Sequence, residues 1–163
     1  MRVRLAYGTE GLALELDAGL DVTVVEPAFV PALPDPAAAV RAALGAPIGS
    51  PPLSDLVAPG MRVGVVFSDI TRPAPSPLLL SAVLEVLDAV PGVEPVLFNA
   101  LGTHRPNTPD ELRAMVGDAI VERRRIVQND AFDPATQVRV GTTSKGHETW
   151  LNAELMRCDL KVL

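Results

Sequence analysis

Two short segments hold side chains that could do acid/base and anion chemistry. They are F-S-D-I-T-R-P at Phe67–Pro73 and G-T-H-R-P at Gly102–Pro106. Asp69 can accept a hydrogen bond from an imidazole N–H, which fixes a histidine's tautomer and raises its basicity. Arg72 can hold a carboxylate or phosphate through two parallel hydrogen bonds. His104 is one of only two histidines. Gly102 ahead of it permits close backbone approach. Each segment has a plainer reading: Asp69 makes an Asx-turn, Arg72 forms a surface ion pair, and His104 is solvated. Arg105 is equally suited to phosphate or to a salt bridge with Asp110 or Glu111.

What decides between these readings is position. Each segment follows an apolar run of the kind that forms a strand buried on both faces: Arg62–Phe67 and Val93–Leu101. Between them Pro77–Val90 is helical, with Leu79, Leu80, Val83, Leu84 and Leu87 on one face. A strand–helix–strand unit is normally parallel, so both loops leave the same edge of one sheet. Asp69, Thr71, Arg72, His104 and Arg105 then converge on one crevice.

The remaining elements follow from punctuation. Arg2–Tyr7 and Leu12–Leu16 flank the turn-former Gly8-Thr9-Glu10-Gly11, which predicts an antiparallel hairpin. Asp21–Glu26 is a third strand candidate. Asp35 and Pro36 start a helix over Ala37–Leu44. Ala46–Pro59 is a proline-rich loop with a short turn at Ser54–Val57. Thr108, Pro109 and Glu111 form a capping box that starts a helix running to Val116. Weaker signals over Ile120–Asp130, Gln137–Gly141 and Glu148–Leu151 give strands with a broken helix before them, followed by a short helix over Asn152–Arg157 and a last strand over Asp159–Leu163. The expected fold is α/β, with a mainly parallel sheet, helices on both faces and an N-terminal hairpin. A buried-type strand at the chain's end predicts one α/β domain that is the N-terminal part of a longer protein.

Composition narrows the function. The chain has 163 residues, 48% of them hydrophobic, and a formal net charge of −6. Such a length supports a core without disulfides or structural metal. The negative charge disfavours nucleic acid and anionic membranes as partners. A local arginine pair still suits an anionic ligand. A single cysteine, Cys158, forms no internal disulfide and no CxxC metal site. No secretory signal is evident at the start, and no apolar stretch reaches the ~20 residues of a membrane helix. The expected compartment is the cytoplasm. His147 in K-G-H-E-T-W, the run Arg123–Arg125 and Trp150 read as surface or boundary features.

Together, D-I-T-R-P (69–73), G-T-H-R-P (102–106), N-T-P-D-E-L (107–112) and A-P-I-G-S (46–50) make the sequence resemble the nickel-dependent lactate racemase family, in its N-terminal domain. The resemblance covers most of the chain. It implies interconversion of 2-hydroxy acid stereoisomers by proton-coupled hydride transfer to a nickel-pincer nucleotide. It assigns His104 as an acid/base histidine, Asp69 as the group orienting a catalytic histidine, and Arg72, with Thr71 and Arg105, to anionic substrate or cofactor. The family's cofactor-bearing lysine, second acid/base histidine and nickel-ligating histidine match no position here, so the resemblance implies no metal ligand in this chain. It also implies that the fragment alone is inactive and needs the missing C-terminal part. Thr103 stands where an aromatic often occurs, which implies a substrate preference that can differ from lactate. The competing expectation is a non-catalytic module that binds an anion or nucleotide.

Overall fold

The computed structural model of the chain describes residues 1–163, in two compact units, Met1–Ala32 and Leu33–Leu163. In the first unit β1 (Arg2–Leu5) pairs antiparallel with β2 (Leu12–Glu15), Arg2 opposite Glu15 and Leu5 opposite Leu12. Gly11 closes the turn at a φ of 75°, where a Cβ would lie 2.9 Å from the Leu5 carbonyl oxygen. The hairpin is as expected. Asp21–Glu26 is not a strand. Its β-branched residues have no neighbouring strand to pair with, and Val25 is 90% exposed.

The second unit opens with α1 (Pro36–Gly45), where the Asp35 carboxylate accepts from the Ala38 N–H at 2.9 Å. A single turn, α2 (Leu53–Leu56), interrupts the proline-rich loop. Then come β3 (Arg62–Ser68), α3 (Ser76–Asp88) and β4 (Glu94–Ala100). Next are α4 (Pro109–Val116), α5 (Asp118–Arg123) and β5 (Arg125–Gln128). A separate antiparallel hairpin, β6 (Gln137–Thr142) and β7 (Glu148–Asn152), precedes α6 (Ala153–Met156) and β8 (Leu160–Val162). The sheet order is β5-β4-β3-β8, and every pairing in it is parallel.

β3 and β4 are the interior strands, which is why their sequences are nearly unbroken apolar runs. Val63, Val65, Phe67 and Leu97 face one way and pack with Leu80, Val83, Leu84 and Leu87 of α3 and with Val116 and Ile120. Val96 and Phe98 face the other way, toward Cys158, Val66, Val127 and Leu155. Helices therefore lie on both faces, but unequally: the second face has only the single turn of α6. That turn comes close because Gly64 has no side chain. Burial pushes the Cys158 thiol pKa up, which keeps the sulfur protonated and unreactive.

Charge closes the sheet's amino edge. Glu154 bridges Arg62 and Arg125, and the Asp159 carboxylate accepts from the Arg62 N–H at 2.8 Å. These contacts bring β8 beside β3 and leave the carboxyl edge for the two loops.

Candidate functional site

Ser68 of β3 and Ala100 of β4 are paired in register. The two strands thus end level, and both loops leave the carboxyl edge together, where ligands of open α/β sheets bind. The first loop begins with a tight turn, the Arg72 N–H donating to the Asp69 carbonyl at 3.1 Å. Pro73 and Pro75 then hold the backbone until α3 starts. The second loop begins after Leu101, itself buried, with the His104 N–H donating to the Leu101 carbonyl at 3.0 Å.

These turns join two residues 35 positions apart. His104 Nδ1 lies 2.6 Å from Asp69 Oδ2. The other carboxylate oxygen, Oδ1, accepts from the Thr71 hydroxyl at 2.8 Å. Asp69 is buried and His104 is half exposed. The hydrogen bond from His104, then that from Thr71, pulls the Asp69 pKa below the usual carboxylate range, against the opposing effect of burial. An ionised Asp69 only accepts, so the imidazole must present Nδ1–H to it. In the neutral ring the Nε2 lone pair then remains free as a proton acceptor. This is the arrangement of a general base held by a carboxylate.

Arg72 lies on the same loop, exposed, and its guanidinium makes no hydrogen bond or ion pair within the chain. Arg105 is different. Its Nη1 and Nη2 donate to Glu111 Oε2 and Oε1 at 2.8 and 2.7 Å. Of the two alternatives open for Arg105, the salt bridge is the one formed, because α4 begins four residues later and brings Glu111 back over the loop. Glu111 also accepts from the Thr108 N–H, and the two contacts pull its pKa down to about 2.

Sequence reasoning missed Gln128. At the end of β5 its Oε1 accepts from the Asn107 N–H at 2.6 Å and its Nε2 donates to the Asn107 carbonyl at 3.0 Å. A lone glutamine at a strand end carries no motif, so no sequence signal was there to find. A cavity of 420 Å³ lined by Val65, Phe67, Ala74, Leu79 and Val162 lies along β3, and its lining includes neither Asp69 nor His104.

Residues 7–163 match the lactate racemase N-terminal domain family. The chain belongs to that family. Over 124 residues it is 32% identical to the lactate racemase of Lactiplantibacillus plantarum and 31% identical to that of Thermoanaerobacterium thermosaccharolyticum. In each case 76% of this chain aligns with 29% of the relative. The aligned region therefore covers less than a third of these lactate racemases. The apoprotein structure of the Thermoanaerobacterium thermosaccharolyticum enzyme superposes with a TM-score of 0.85 at 25% identity, over 99% of this chain and 38% of that one. A Thermotoga maritima protein shares the fold at a TM-score of 0.60 and 22% identity, over 81% of this chain and 33% of its own. The α/β architecture, parallel sheet and hairpin are thus those of the lactate racemase N-terminal domain.

No three His, Cys, Asp or Glu side chains lie together as a metal site. Lys161 Nζ is tied to the Cys158 carbonyl at 2.5 Å. His147 is exposed in the β6–β7 turn. The ligands and covalent anchor implied by the resemblance would have to come from residues outside this chain. No helix is long and apolar enough to cross a membrane.

Proposed function

We propose that this chain is the acid/base domain of a racemase acting on a small 2-hydroxy acid, lactate or a close analogue. The observation that carries the proposal is the 2.6 Å contact between His104 Nδ1 and Asp69 Oδ2. Asp69 holds the ring with Nε2 outward, and Nε2 takes the substrate's hydroxyl proton as the carbon–oxygen bond gains double-bond character. Asp69 stabilises the imidazolium that results, and in the reverse direction the same Nε2 returns the proton to the hydroxyl oxygen as the carbon–hydrogen bond re-forms. Arg72 pairs with the substrate carboxylate or with an anionic group of the cofactor, since its guanidinium has no partner in the chain. A nickel-pincer nucleotide, held by residues beyond these, would supply the hydride acceptor when bound. The 163 residues by themselves are expected to be inactive.

The test is conversion of one lactate enantiomer to the other by a protein extending to the length of the relatives. His104→Ala should lower turnover by roughly 10²–10⁴-fold, the usual worth of a general acid/base group. Turnover near the parent's would remove the assignment. Lactate binding that depends on Arg72 in a protein that never racemises would instead establish the anion-binding module.

A further inference from the structure

We propose that Gln128 is a positioning residue for His104: its carboxamide grips the backbone of Asn107 and so fixes the histidine-bearing loop against the sheet. This rests on the reading of His104 as the proton acceptor.

The loop Gly102–Pro106 has two ends. Leu101 anchors the first by burial, at 2% exposure. The buried residue at the second end is polar: Asn107, 4% exposed. Asn99, opposite Gln128 in the ladder, is fully buried, and neither of its side-chain amide atoms finds a partner in the protein; nor does Asn107 Nδ2. The second end is therefore not seated on an apolar plug. Gln128 holds it by bonding both the N–H and the C=O of Asn107. That is what a neighbouring strand would do, at a point where the ladder has ended. Both backbone groups need partners at this depth.

Besides the His104–Asp69 contact itself, two ties hold the loop, and they are not equivalent. The Arg105–Glu111 pair joins it to α4. The Gln128 clamp joins it to β5, which is laddered to β4 with Asn99 opposite Gln128. β4 is laddered in turn to β3, from whose end Asp69 projects. Only the second tie runs through rigid sheet to the carboxylate that orients His104. A misplacement of about 1 Å at such a contact is enough to impair catalysis strongly.

The experiment uses this chain, whose two histidines make ring signals easy to assign. ¹⁵N spectra of the imidazoles report which nitrogen carries the proton, with His147 as internal control. Hydrogen exchange at the Asn107 amide reports the clamp. The variants are Gln128→Ala and Gln128→Met, the second keeping the volume of the side chain so that the fold survives. The parent should show His104 mainly as the Nδ1–H form. Both variants should lose that preference, leave His147 unchanged, and exchange the Asn107 amide at least about tenfold faster, the worth of one to two hydrogen bonds. A preserved His104 tautomer in a folded variant overturns the role of Gln128 and leaves the Asp69–His104 pair intact. A parent lacking the Nδ1–H form overturns both.

Discussion

Arg105 and Glu111 are joined by two parallel hydrogen bonds, so the arginine next to His104 braces its own loop against α4. The pair is a stability contact with a defined pH window. Glu111 sits at about 2 in the folded chain against an ordinary 4.5. A depressed carboxyl stabilises the fold above its unfolded pKa and loses that contribution as pH falls toward the folded one. Glu111→Gln should therefore lower Tm by a constant amount from pH 7 to about 5. The difference should shrink between 4.5 and about 2. A difference that is flat down to pH 2, measured by thermal melts, would contradict the pairing.

Asp69→Asn tests the orienting carboxylate without changing its shape. An amide at this position can donate as well as accept, so the histidine loses its enforced Nδ1–H form. Racemisation by the full-length protein should fall roughly 10²–10⁴-fold while the fold is kept. Thr71→Val removes only the hydrogen bond to Asp69 Oδ1, and its loss of turnover should be smaller. Equal losses for the two would mean that the Thr71 hydroxyl, and not the carboxylate alone, touches the reaction.

Gly64→Ala should be destabilising even though the residue lies in an ordinary strand. The added carbon would stand 2.7 Å from Leu155 Cδ1, 3.1 Å from Cys158 Sγ and 3.2 Å from Phe98 Cε2. Forcing a methyl group into such a contact costs about 1–3 kcal/mol. Urea unfolding at neutral pH measures it, and an unchanged midpoint would mean that α6 is free to withdraw from the sheet.

Thr108 caps α4 from its side chain, accepting from the Glu111 N–H at 3.2 Å. Thr108→Ala should cost about 1 kcal/mol. Because the cap lies directly after Asn107, exchange of the 102–107 amides should also quicken. Urea unfolding combined with exchange separates the two effects. A stability loss without faster loop exchange would show that the loop is held independently of the helix start.

Much of this was legible from composition and spacing. The runs Arg62–Phe67 and Val93–Leu101 carry the mark of buried strands, and a helix between two such strands normally puts both loops on one edge. Helix starts at Asp35 and Thr108 were explicit, because capping is local chemistry. Asp21–Glu26 misled for the opposite reason: strand formation needs a partner, and β-branched residues alone do not supply one. The pairing choice of Arg105 was undetermined, since its anion partner was set by where α4 folds back. Gln128 was invisible because it works on backbone groups, which every residue has.

Asp69 and His104 follow adjacent strands joined by a single helix, and the edge beside β3 is completed by β8 from the far end of the chain. During synthesis from the amino end, residues 62–108 emerge as one strand–helix–strand unit long before Leu160–Val162. Leu155 and Cys158, which cover the second face, are made after that unit. The Asp69–His104 contact thus depends on a sequence-local part of the sheet, whereas β8 has to be brought in from the far end of the chain.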